Sequence, residues 1–97
     1  MTLKLFHESD LVGIIPEYCA NGFHMHGLVE LTEMAAKYKN VLDYWASPNK
    51  DPKVEESIPW DQFEGWCVES EDGARQSITP PWIGMENGRL AIHWRYF

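Results

Sequence analysis

Cysteine and histidine side chains that could act on a metal or a substrate lie close together in the N-terminal part of the sequence. Cys19, His24 and His26 have the spacing Cys-x4-His-x-His, and folding could bring Cys67 or His93 to them. Thiolate and imidazole are zinc ligands, and a thiol beside an imidazole is a nucleophilic pair. The spacing is not a standard zinc signature, and neither cysteine has a protease or oxidoreductase motif around it. We therefore predict no metal site and no cofactor. A small metal- or thiol-dependent enzyme is an alternative function, and we rank it second among the alternatives.

Other catalytic patterns are absent from the sequence, which contains no Gly-x-Gly-x-x-Gly, P-loop, Gly-x-Ser-x-Gly or His-Glu-x-x-His. Adjacent acids such as Glu55-Glu56 and Glu71-Asp72 are typical of solvated turns. The sequence therefore favours a protein that is not an enzyme. Two cysteines without a secretory-signal pattern predict free thiols and a cytoplasmic location.

The acidic residues are concentrated in two segments. The net charge is −7, and no Lys or Arg occurs between Lys4 and Lys37 or between Lys53 and Arg75. Twelve of the fifteen acids fall in these segments. Such segments repel nucleic acid and anionic membrane, and they attract basic protein surfaces. We predict no direct nucleic-acid or membrane binding, and a partner with a basic nucleic-acid-binding surface; an acidic face that only aids solubility is the simpler alternative.

The predicted partner-binding residues combine these acids with two tryptophans that lie beside prolines in predicted loops. A rigid aromatic side chain in such a loop can anchor a partner. The predicted set is Glu30, Glu33, Asp43, Glu55, Glu56, Trp60, Asp61, Glu64, Glu69, Glu71, Asp72 and Trp82.

The elements that must position these residues form one α+β domain over residues 1–97. Apolar residues recur at steps of three and four from Leu28 to Ala46, which predicts the main amphipathic helix. Ser9 and Asp10 predict the cap of a short helix that Pro16 ends or redirects. Residues 21–27 and 47–59 are predicted to be loops, and residues 61–64 a helical turn.

Alternating patterns predict a small, mostly antiparallel β-sheet. A strand is expected over residues 2–7, and a hairpin joins strands near 66–70 and 75–78 through Glu71-Asp72-Gly73. A second hairpin joins residues 82–86 to 89–97 through Asn87-Gly88, since Asn-Gly favours the type I′ turn. The main helix would pack on this sheet, with only short helical turns besides it.

The compact acidic chain, with its opening Met1-Thr2-Leu3-Lys4-Leu5-Phe6-His7-Glu8-Ser9-Asp10, resembles the phage-encoded anti-CRISPR proteins, in particular those that inhibit type I-F surveillance complexes by mimicking DNA. The resemblance covers the size and character of the whole chain. It implies a phage-encoded chain that acts in the host cell cytoplasm and binds the lysine-lined surface of the Cascade (Csy) complex that receives target DNA. The aromatic content, with five Trp, and the eight Lys and Arg depart from the most acidic DNA mimics and point to an aromatic-anchored contact.

The expected function is therefore an acidic, non-enzymatic inhibitor that blocks target DNA binding. The first alternative is a cytosolic immunity or antitoxin-like module that neutralises a basic toxin. Both would use the same acidic surface.

Overall fold

Seven β-strands make up most of the fold, and the computed structural model describes residues 2–97. The strands are β1 (Leu3–His7), β2 (Asp10–Asn21), β3 (His24–Leu31), β4 (Trp66–Glu69), β5 (Arg75–Ser77), β6 (Trp82–Glu86) and β7 (Arg89–Arg95). Four helical segments separate β3 from β4: a first 3₁₀ helix (Glu33–Tyr38), α1 (Lys39–Ala46), α2 (Pro52–Ser57) and a second 3₁₀ helix (Trp60–Phe63). An α+β fold with an antiparallel sheet and one main helix, α1, is confirmed.

All seven strands belong to one antiparallel sheet with the order β5-β4-β1-β2-β3-β7-β6. The chain that follows β5 also pairs with the end of β7. Ile78 forms a bridge with Tyr96, and the Thr79 amide donates a 3.0 Å hydrogen bond to the Arg95 carbonyl. The sheet is therefore curled, so that the segment after β5 reaches the end of β7.

Both predicted hairpins are confirmed. β6 and β7 join through Asn87 and Gly88, whose φ angles of 52° and 77° are those of a type I′ turn. β4 and β5 join across a turn in which Gly73 has a φ of 87°. In each case the turn residue adopts the left-handed conformation at low cost, so the local sequence determines the pairing.

The predicted helix start at Ser9 and Asp10 is wrong, because this segment turns from β1 into β2. His7 pairs with Asp10 across a tight turn in which Glu8 has a φ of 53°. The Glu8 amide donates to the Gly65 carbonyl at 2.9 Å, so a distant part of the chain supports the turn. β2 then continues through Pro16, which lies where the β2–β3 register shifts and needs no ladder hydrogen bond.

The predicted helix over residues 28–46 is correct only in its last part, and the predicted loop over 21–27 is strand over most of its length. Residues 24–28 pair with β2 on one side and β7 on the other, so sheet pairing overrides the helical spacing. Thr32 ends β3: its amide and its hydroxyl both bond the Val12 carbonyl, at 2.9 and 3.1 Å. Helical structure begins only after this residue.

The polar segment predicted as a loop contains α2. Asp51 caps this helix by accepting from the Lys53 amide at 2.9 Å, and Pro52 occupies its first turn. The helical turn predicted at residues 61–64 is confirmed as the second 3₁₀ helix, one residue earlier. Within residues 2–97, no helix has both the length and the apolar character needed to cross a membrane.

The core lies inside the curled sheet and under the helices. Its largest members are Trp66 and Trp94, which are 1% and 2% exposed. The further buried apolar side chains are Leu3, Leu5, Val12, Ile15, Met25, Val29, Ala35, Tyr38, Val41, Leu42, Ile58, Val68, Ile78, Ala91 and Ile92.

A buried polar network crosses this core at His7, which is 4% exposed. The His7 Nδ1 lies 3.0 Å from the Tyr38 hydroxyl, and its Nε2 lies 2.9 Å from the Asp61 carbonyl. The Tyr38 hydroxyl donates to the Asp10 carboxylate at 2.5 Å. The Tyr38 hydroxyl therefore lies between the His7 ring and the Asp10 carboxylate. The network connects β1, β2 and both 3₁₀ helices.

Candidate functional site

A row of four side chains crosses four adjacent strands on the outer face of the sheet. Cys19 of β2 is opposite His26 of β3, His26 is opposite His93 of β7, and His93 is opposite Trp82 of β6. His24, two residues before His26, shares this face because side chains alternate along a strand. We call Cys19, His24, His26, His93 and Trp82 the outer row.

Hydrogen bonds connect the outer row in two groups. The Cys19 Sγ lies 3.0 Å from the His26 Nε2. The His93 ring bonds His24 through Nδ1 at 2.7 Å and Glu86 through Nε2 at 3.0 Å. Because both His93 nitrogens are engaged, His26 is the imidazole available to the thiol.

Ring packing holds the imidazoles of the outer row in place. His26 stacks on His93 with ring centroids 5.8 Å apart, and Trp82 meets His93 edge-on at 5.0 Å. Burial, followed by the nearby charges of His93, Arg95 and His26, lowers the pKa of His24. This favours neutral His24, which can accept or donate one hydrogen bond within the cluster.

Within residues 2–97, no three His, Cys, Asp or Glu side chains converge so that they could hold a metal ion. Folding brings His93 to the outer row, but Cys67 lies on β4 and both cysteines are free. Burial is the main cause that raises the pKa of Cys67, and the guanidinium of Arg75 opposes it. The two thiols therefore have different surroundings.

A cavity of about 530 Å³ opens beside the outer row. Cys19 and His26 form one part of its wall, and Arg89, Glu86 and Glu17 form others. The cavity therefore contains a thiol, an imidazole, one guanidinium and two carboxylates.

A close contact between β2 and β3 underlies the outer row at Gly27. A Cβ at this position would lie 2.1 Å from the Glu17 carbonyl oxygen and 2.8 Å from the Tyr18 Cα. Both contacts are with backbone beside the β2 irregularity, so only glycine allows the two strands to approach here. Gly27 therefore helps to set the separation of Cys19 and His26.

A second candidate region, the acidic patch, consists of Glu55 and Glu56 of α2 and Asp61 and Glu64 at the second 3₁₀ helix, around Trp60. All four acids are exposed, and none is within ion-pair distance of Lys or Arg in the described part of the chain. Trp60 is 77% exposed.

Neighbouring aromatic rings support the acidic patch from beneath. Phe63 lies 6.2 Å from Trp60 between ring centroids and meets Tyr44 of α1 edge-on at 6.0 Å. Burial and then the charge of Glu55 raise the pKa of Tyr44, which places this carboxylate near α1. Trp60 is thus exposed to solvent while its ring is in contact with Phe63.

Several other predicted acids already have partners within the protein. Asp43 pairs with Lys39 at 2.5 Å, and Glu69 pairs with Arg75 at 3.3 Å. A hydrogen bond from Ser70, and then one from the Ala74 amide, lower the pKa of Asp72. The charges of Asp43 and Glu69 are therefore partly neutralised, whereas Asp72 stays ionised and stabilises its turn.

The remaining predicted residues are dispersed. Glu71 accepts from the Thr2 amide at 2.8 Å and lies at the opposite end of β4 from the acidic patch. Glu30 and Glu33 are exposed at the end of β3 and the start of the first 3₁₀ helix. Trp82 opens β6, as the predicted hairpin requires, so its placement in a loop is wrong. Its side chain is half-buried against His93.

Comparison with known proteins gave no match to a family model, to a curated protein or to a solved structure.

Proposed function

We propose that this protein is a non-enzymatic inhibitor that uses the acidic patch to bind the basic DNA-binding surface of a type I-F CRISPR surveillance complex (Cascade/Csy) and so blocks target DNA. The observation that carries the proposal is Trp60, 77% exposed among carboxylates that have no cationic partner in the described residues. The choice of target rests on the resemblance in size and charge to anti-CRISPR proteins. The proposed contacts with the partner rest on the exposed carboxylates of the acidic patch and on Trp60.

The carboxylates and the tryptophan would have separate roles in binding. Glu55, Glu56, Asp61 and Glu64 would attract a lysine-lined groove and raise the association rate. Trp60 would pack on lysine or arginine side chains of the partner, through apolar contact and cation–π attraction, and slow dissociation. An exposed Trp supported by Phe63 loses little side-chain entropy on binding, which favours this role.

The test is displacement of labelled target DNA from the purified, guide-loaded surveillance complex at several salt concentrations. We expect competitive displacement that weakens as salt rises, because surface charges are screened. Salt-insensitive binding with DNA still bound, or no binding to the complex, would overturn the proposal. Binding to a basic toxin in place of the complex would support the antitoxin alternative.

Trp60→Ala tests the anchor within the same assay. We expect inhibition to weaken by roughly thirtyfold, the effect of losing an interface residue worth about 2 kcal/mol. Phe23→Ala is the matched control, since Phe23 is 93% exposed at the β2–β3 turn, outside the acidic patch. Equal losses in the two variants would contradict a contact centred on Trp60.

Glu56→Lys combined with Glu64→Lys tests the charge of the patch. We expect the association rate to fall by about tenfold and the salt dependence to become shallower. Glu17→Lys, an exposed acid at the cavity beside the outer row, is the control and should leave inhibition unchanged.

A further inference from the structure

The outer row contains an exposed thiol with its own proton acceptor. Cys19 is exposed, and its Sγ lies 3.0 Å from the Nε2 and 3.7 Å from the Nδ1 of the His26 ring. Thiolate is the reacting form of cysteine, and an imidazole at this distance can take the thiol proton. The stacked His93 limits rotation of the His26 ring and so preserves this contact.

The cavity beside the thiol has room and charge for a small reagent. Its volume of about 530 Å³ is within the size range of small-molecule sites. Arg89 in its wall can bind a carboxylate through a bidentate hydrogen bond. Glu17 and Glu86 in the same wall would bind an ammonium group, so a small disulfide that carries both carboxylate and ammonium groups is the class that matches the cavity.

We infer that Cys19 is a modification site that forms a mixed disulfide with a carboxylate-bearing, low-molecular-weight disulfide bound in this cavity. The Cys19 proton passes to the His26 Nε2, and the thiolate attacks one sulfur of the reagent. A disulfide forms between Cys19 and that sulfur while the bond between the two reagent sulfurs breaks. The departing thiolate takes the electron pair and recovers the proton from His26. Cys19 is oxidised, and half of the reagent is reduced to a thiol.

Cys67 serves as an internal control for this reaction. It is a second free thiol in the same chain, but it lacks an imidazole partner among the described contacts, and Arg75 reaches its sulfur only at 4.0 Å. The modification rates of Cys19 and Cys67 can therefore be compared within one sample, so differences in protein or reagent concentration do not affect their ratio.

The experiment treats the reduced, folded protein with oxidised glutathione at neutral pH and measures modification of each cysteine over time by peptide mass spectrometry. We expect Cys19 to react at least about tenfold faster than Cys67. The two rates should become similar in denaturing urea, because the His26 contact and the cavity are then lost. A modification rate of Cys19 equal to or below that of Cys67 in the folded protein would overturn the inference.

Two substitutions separate proton transfer from reagent binding. His26→Gln should slow Cys19 by about tenfold and leave Cys67 unchanged, and an unchanged Cys19 rate would overturn the role of His26. Arg89→Gln should slow the reaction with oxidised glutathione several-fold but not the reaction with uncharged hydroxyethyl disulfide. An equal effect on both reagents would overturn the role of the cavity in selecting carboxylates.

Discussion

Histidine has opposite roles in the two polar regions of this protein. In the core, His7 is 4% exposed, and both of its nitrogens bond groups from distant parts of the chain. On the outer face, His26 contacts Cys19, and His93 bonds His24 and Glu86, next to an open cavity. The first arrangement fixes the fold because its groups cannot reach water. The second leaves the Cys19 thiol exposed.

The buried network also shifts the titration of its members. The hydrogen bond from Tyr38, and then that from Lys37, lower the pKa of Asp10. Burial is the first cause that raises the pKa of Tyr38, and the bond to Asp10 is the second. Both shifts keep the Tyr38 proton between the two oxygens, which maintains the network over a wide pH range.

Gly27→Ala is expected to have the largest effect on stability. It tests whether the strands that carry the outer row can accept a side chain at their closest approach. A Cβ would be 2.1 Å from the Glu17 carbonyl, so β2 and β3 would have to separate. We expect a loss of about 3–4 kcal/mol in the free energy of unfolding, measured by urea denaturation. Gly84→Ala is the control: its added Cβ approaches only the Trp82 side chain, which can move, so the loss should be about 1 kcal/mol. Equal losses would show that the strands do not need to approach at Gly27.

His7→Ala compared with His26→Ala tests the difference between the two regions directly. Removing His7 leaves a cavity and removes the contacts with the Tyr38 hydroxyl and the Asp61 carbonyl, so we expect a loss of about 3 kcal/mol. Removing the half-buried His26 should cost less than about 1 kcal/mol. Urea denaturation of both variants provides the measurement, and similar losses would mean that the outer row is also structural.

The pH dependence of stability should show the smallest effects, in two separate ranges. A lowered pKa means that the unfolded chain takes up the proton first, so stability decreases as the pH falls below the ordinary value. This begins near pH 6.5 for His24 and near pH 3.8 for Asp10. In urea denaturation at a series of pH values, His24→Asn should remove the upper decrease, and Asp10→Asn should reduce the lower one. An unaltered profile in either variant would contradict its assignment.

Local turn chemistry explains which parts of the fold could be predicted from the sequence. Asn87-Gly88 and Gly73 favour left-handed turns by themselves, so their hairpins follow from a few adjacent residues. Glu8 adopts the same conformation without being glycine, and its turn also depends on the Gly65 carbonyl. A contact with a residue so far along the chain leaves no local signal.

The outer row was only partly predictable for a similar reason. The sequence identifies Cys19, His24 and His26 as a group, because they are close together in the chain. Which distant residue joins them depends on the strand order: β3 pairs with β7, which brings in His93 and leaves Cys67 on β4. The acidic patch differs in this respect, since its residues lie close together in the sequence and are all exposed in the structure.

The strand order also has a consequence for the growing chain during synthesis. β1, β2 and β3 are made first and can form a three-stranded meander, with one open edge on β1 and another on β3. The strands that cover these edges, β4 and β7, emerge from the ribosome only after the whole helical region. Until then the nascent meander displays unpaired backbone groups that can template association with other chains. Slow translation between β3 and β7 would therefore favour aggregation over native folding.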